Sequence, residues 1–96
     1  MTDAQKAVVT RALDTWGARD QLDMFAGEAG EALVWVGRYA QGRFDAEAFG
    51  REVADLIVMC ESMKQLVERA AGRAFVDDHV VAQIDRLGRK LDANTP

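Results

Sequence analysis

The only proline of this chain is its last residue, Pro96, so no earlier position carries an obligatory helix breaker. β-branched and polar residues do not alternate over any sustained run, which leaves the helical period as the one regular pattern. The chain is expected to be all-α. Punctuation marks four helices, at about 3–16, 21–41, 46–71 and 78–92. Thr2 with Gln5 makes a capping box for the first, whose stripe of Val8, Val9, Ala12, Leu13 and Trp16 stops at Gly17. Asp20 is placed to cap the second helix, which Gly42 ends. Asp45 is placed to cap the third, which Gly72 ends. Asp77 or Asp78 caps the fourth, with Val80, Val81, Ile84, Leu87 and Leu91 as its buried face.

A chain of 96 residues makes one small domain, and alone it buries only roughly 65% of its unfolded surface. With 49% hydrophobic residues to hide, it is expected to form a homo-oligomeric helical bundle. A net charge of −4 argues against wrapping a nucleic-acid polymer, which draws on clustered Lys and Arg. The single cysteine, Cys60, excludes a disulfide framework and reads as a small buried hydrophobe. No apolar run is long enough for a membrane span and no signal-peptide core opens the chain, so no membrane partner and a cytoplasmic location are expected.

Two carboxylate pairs interrupt the apolar faces: Glu28-x-x-Glu31 on the second helix and Glu52-x-x-Asp55 on the third. Residues three apart in a helix project from nearly one face, so each pair aims at one point. On a helical wheel of about 100° per residue, Met24, Trp35, Tyr39, Ala32, Phe25, Val36 and Ala29 form the apolar arc of the second helix. Glu28 falls inside that arc and Glu31 at its edge. On the third helix Leu66, Met59, Met63, Leu56, Phe49, Val67, Cys60 and Val53 form the arc; Glu52 falls inside and Asp55 at the edge. The matching layouts suit two facing halves of one site.

An unpaired buried carboxylate costs several kcal/mol, so acids in mid-stripe need a compensating cation. Arg51 and Arg38 are the nearest side-chain cations, and neither sits in mid-stripe. A metal is the stronger reading, and a structural salt-bridge cluster in a non-catalytic, regulatory or partner-binding oligomer is the alternative. Helical di-iron sites use Glu-x-x-His, and the one histidine, His79, belongs to no such motif. Four carboxylates favour Mg²⁺, with Mn²⁺ as a substitute.

These residues also carry a family resemblance. The run Trp16-Gly17-x-x-x-Gln21-x-x-Met24, then Glu28-x-x-Glu31, then, after twenty residues, Glu52-x-Ala54-Asp55, resembles the MazG-like all-α nucleoside triphosphate pyrophosphohydrolases. The likeness is to their short, stand-alone, phage-type members. It is plainest from Leu13 to Leu66 and extends loosely through the last helix, so 1–96 would be a single such domain. It implies a dimer or dimer of dimers and Mg²⁺-dependent cleavage between the α and β phosphates of an NTP or dNTP. It also implies that Glu28, Glu31, Glu52 and Asp55 hold the metal and carry catalysis. Two positions depart from the family pattern: Gly27 stands where relatives often have a further Glu, and Gln83 where they tend to have Lys. Gly27 leaves the number of metal ions open.

A triphosphate carries about four negative charges, and an acidic pocket repels it unless a cation intervenes. Glu28, in its apolar setting, suits the acceptance of a proton from water, though a ligand role fits it equally. Gln21, Met24, Glu28, Glu31, Trp35 and Arg38 share a strip of the second helix. Arg38 offers a planar fork to phosphate, or simply complements the helix end. Trp35 and Trp16 suit stacking on a base or packing in the core. Gln21 suits a base edge or a buried polar group. Lys64 and Arg43 are weaker phosphate ligands.

Overall fold

The computed structural model describes residues 1–94. It contains four helices, α1 (Asp3–Trp16), α2 (Ala18–Ala40), α3 (Ala46–Ala71) and α4 (Val76–Ala93), and no strand among the described residues. The chain divides into two compact units, Met1–Leu66 and Val67–Pro96.

In the first unit α1 opens on the expected capping box: Gln5 N–H donates to Thr2 Oγ1 (3.1 Å) and Thr2 N–H to Gln5 Oε1 (2.8 Å). Its inner face buries Val9 and Leu13, which with Met59 of α3 form the apolar core. Polar ties fasten α1 to α3. Thr10 Oγ1 donates to Gln65 Oε1 (2.7 Å), and Gln65 Nε2 donates to the Lys6 carbonyl (3.2 Å).

The second helix begins three residues earlier than its sequence suggests, because Gly17 alone makes the corner. Gly17 sits at φ 89°, ψ 163°, a region essentially closed to side chains, and its N–H still closes α1 onto the Leu13 carbonyl (2.9 Å). Its carbonyl then accepts from Gln21 N–H (3.2 Å), so α2 starts at once. Asp20 is therefore not the cap. It lies in the first turn, where its charge meets the positive helix end. A tight turn through Gly42 (φ 71°) returns the chain, and Asp45 caps α3 as expected, accepting from Ala48 N–H (3.0 Å).

Helices α2 and α3 run antiparallel. Gln21 meets Ser62, Glu28 meets Glu52, and Trp35 shares a pocket with Phe49, so positions climb on one helix as they fall on the other.

In the second unit, α4 starts at Val76 rather than 78, with Asp77 and Asp78 inside its first turn. The acceptor for its first N–H groups comes from seven and eight residues back: Glu68 Oε2 takes Phe75 N–H (2.8 Å) and Val76 N–H (3.0 Å). No residue of α4 is buried, so the stripe of Val80, Val81, Ile84, Leu87 and Leu91 is exposed in the single chain. Cys60, expected inside, is also exposed. Periodicity identifies the faces that favour burial, and a chain this short lacks the surface to cover them all.

Candidate metal centre between two antiparallel helices

The α2–α3 pairing brings the two acidic motifs together. One carboxylate oxygen each from Glu28, Glu31 and Glu52 lies within 4.8 Å of the others. Ligands of an octahedral Mg²⁺ at about 2.1 Å stand no more than about 4.2 Å apart, so small side-chain shifts bring three of these oxygens to one ion. Asp55, one turn beyond Glu52, acts electrostatically on both Glu28 and Glu52. All four acids thus contribute to one cluster.

Burial divides them. Glu28 and Glu52 are half-buried, while Glu31 and Asp55 are exposed. Glu28 Oε2 and Glu52 Oε2 are both closed to solvent and have no hydrogen-bond partner. Such atoms are costly unless something positive faces them. Loss of solvent is the largest influence on Glu28, raising its carboxyl above the ordinary 4.5, and the charges of Asp55 and then Glu31 push it the same way. Glu52 is raised too, first by loss of solvent, then by a hydrogen bond with Glu31 and by the charges of Glu31, Glu28 and Asp55. Every charge acting on the pair is negative.

The arginines engage elsewhere. Arg51 pairs with Glu47 (3.3 Å) on the exposed side of α3, and the Arg38 guanidinium lies 4.5 Å from the centroid of the Trp35 ring. Neither neutralises the cluster. An orphaned, desolvated oxygen on each side of an all-oxygen donor set fits a hard divalent cation held by Glu28, Glu31 and Glu52, with Asp55 beside them.

The remaining predicted site residues fall in different places. Gln21 is buried, accepting from Ser62 Oγ (2.8 Å) and donating to Asp20 Oδ2 (3.3 Å), so it ties α2 to α3 and does not face an open pocket. Trp16 is exposed at the end of α1, beside Val8, Arg11, Ala12 and Thr15, apart from the acids. Lys64 lies nine residues past Asp55 on α3, about 13 Å along the axis. Trp35 and Arg38 lie on the strip that carries Glu31, one and two turns on.

One feature escaped the sequence. Trp35, Val36, Tyr39, Phe44 and Phe49 line a cavity of about 310 Å³ at the turn end of the hairpin. Tyr39 and Phe44 meet edge to face (5.2 Å, 85°), as do Phe44 and Phe49 (5.7 Å, 62°). Phe44 belongs to no helix, so no helical wheel could place it. The detectable signal was that Trp35 and Phe49 each stand one turn from an acid, on the same side of the cluster. No protein-family model, curated protein or solved structure matches this chain, so the chemistry of the centre rests on its own geometry.

Proposed function

We propose that the protein is a Mg²⁺-dependent nucleoside triphosphate pyrophosphohydrolase, cleaving the α–β phosphate bond of an NTP or dNTP to a nucleoside monophosphate and pyrophosphate. The observation that carries this reading is the pair of orphaned oxygens, Glu28 Oε2 and Glu52 Oε2, among neighbouring acids whose negative charges raise both carboxyls. A divalent cation there, Mg²⁺ or Mn²⁺, supplies charge neutralisation and Lewis acidity toward the phosphates. Glu28, Glu31 and Glu52 would hold it, with Asp55 beside them. Glu28, whose carboxyl is raised by loss of solvent and by neighbouring negative charge, is also the acid this reading assigns to accept the proton of the attacking water. Arg38, which stands over the Trp35 ring one turn beyond it and pairs with no carboxylate among the described residues, is the cation this reading assigns to the substrate. The family resemblance supplies the bond that is cleaved.

The working form is a homo-oligomer in this reading, a dimer or dimer of dimers. It is supported by large apolar side chains left in water on every helix, among them Val8 (68% exposed), Leu33 (68%), Ile57 (59%) and Ile84 (62%). No helix among the described residues is long and apolar enough to cross a membrane. The deciding experiment is pyrophosphate release from a panel of NTPs and dNTPs with Mg²⁺ or Mn²⁺. Turnover that is lost in a folded Glu52→Gln variant supports the enzyme. Absence of turnover with every nucleotide and both metals refutes it.

A further inference from the structure

The aromatic cavity and the acid cluster occupy adjacent turns of the same two helices. Trp35 is four residues past Glu31 on α2, and Phe49 three before Glu52 on α3, a displacement of about 5–6 Å along each axis toward the turn. A ligand chelated at the acids therefore has the cavity within reach of its next group. At about 310 Å³ the cavity is at the small end of ligand sites, a size that suits one flat ring system.

We propose that this cavity takes the nucleobase by its faces and not by its hydrogen-bonding edge, so that substrates are selected by stacking area across all the common bases. The inference rests on the nucleotide reading of the acid cluster. Trp35, Val36, Tyr39, Phe44 and Phe49 offer only the Tyr39 hydroxyl and the Trp35 indole N–H as hydrogen-bonding side-chain groups. No amide or carboxylate lines the cavity to read a Watson–Crick edge. The edge-to-face contacts of Tyr39, Phe44 and Phe49 make its wall from rings with few rotatable bonds, which lose little freedom on binding.

Charge identifies the occupant. The acid cluster lies one turn from the cavity. An apolar side chain from a second protein would fill the cavity but leave the acids on that flank unmatched. A planar base carrying a metal-chelating anionic tail matches both the rings and the acids. Base stacking on aromatic side chains tolerates every base. A site that reads hydrogen bonds rejects a wrong partner by about 10⁴-fold or more, whereas apolar contacts discriminate by only about 10–200-fold.

The test is equilibrium binding, with Mg²⁺, of the α,β-imido analogues of dATP, dGTP, dCTP and dTTP, which resist cleavage of the α–β bond. Inorganic tripolyphosphate is the base-free probe. The four analogues should bind within about 100-fold of one another, purines tightest, and all more tightly than tripolyphosphate. Tyr39→Ala and Phe49→Ala should weaken the dATP analogue about 10-fold or more while leaving tripolyphosphate unchanged. Tyr39 is 68% exposed, so its truncation spares the fold even if Phe49→Ala does not. Preference for one base beyond 10³-fold overturns the proposal. So does binding of the dATP analogue that is unaffected by Tyr39→Ala, or that only equals tripolyphosphate; in those cases the hydrolase reading stands. If neither the analogues nor tripolyphosphate bind, both readings fall. Binding as described without cleavage of any dNTP supports the cavity and removes only the hydrolase. A Tyr39→Ala change in sedimentation with unaltered nucleotide affinity assigns the cavity to an oligomer contact and overturns the proposal.

Discussion

Glu28 on α2 and Glu52 on α3 face one another across the hairpin, each holding one carboxylate oxygen out of solvent with no hydrogen-bond partner. Two desolvated anions at close range oppose folding unless a cation joins them. Mg²⁺ should therefore raise the melting temperature. At a concentration a hundredfold above its Kd the gain is about 2.7 kcal/mol. Glu52→Gln should melt higher than the native chain without metal and lose the response to Mg²⁺. Melting indifferent to Mg²⁺ in the native chain would instead support a purely structural role for the acids.

The same pair sets a pH dependence. Both carboxyls are raised above 4.5 in the folded chain, so between their unfolded and folded values the folded state binds more protons. Metal-free stability is thus highest below about 4.5 with respect to these groups and falls as pH rises through the raised values. Urea midpoints measured without metal from pH 4.5 to 7.5 should show this fall, and Glu28→Gln should flatten it. Saturating Mg²⁺ competes with the protons and should reverse the slope.

Gly17 and Gly27 give opposite answers to one substitution. A Cβ at either meets no atom within 4 Å. Gly17 has φ 89°, where a side chain is strained, so Gly17→Ala should cost about 1–3 kcal/mol and disturb the α1–α2 corner. Gly27 is inside α2 and exposed, so Gly27→Ala should stabilise by up to about 1 kcal/mol. Chemical denaturation of both variants compares the two signs directly.

Glu68 holds the start of α4 through two backbone N–H groups. Glu68→Ala should cost about 1–2 kcal/mol, in the range of a lost helix cap. Amide exchange should accelerate first at Phe75 and Val76. Unchanged protection at those two amides would argue against the clamp.

The helix bounds of α1 and α3 were legible because their signals are local: a capping box at Thr2 and an Asp45 cap, each within a few residues of the turn it starts. The starts of α2 and α4 were not. One depends on a Gly17 conformation that looks like a simple stop, the other on a carboxylate from the preceding helix. Convergence of Glu28, Glu31, Glu52 and Asp55 was readable from the wheels, since two apolar arcs that pack together carry their polar insertions with them. Gln21 was noticed but its partner was not, because Ser62 is 41 residues away and has no pattern of its own. The exposure of Cys60 and of the α4 stripe was illegible for a different reason: hydrophobic period says which face seeks cover, not where the cover comes from.

The Gln21–Ser62 bond lies two turns from the acids and touches none of them. Apolar ridges can reseat after one helix slides a turn along another, about 5.4 Å, with little loss of contact. A buried hydroxyl and amide cannot, since the slide leaves both unsatisfied. This bond is therefore an index mark that fixes the register of α2 against α3. A slip of one turn would carry Glu52 away from Glu28 and split the cluster into two ordinary surface pairs. The convergence of the carboxylates is thus decided at two neutral residues outside the chemistry, which can be exchanged only together.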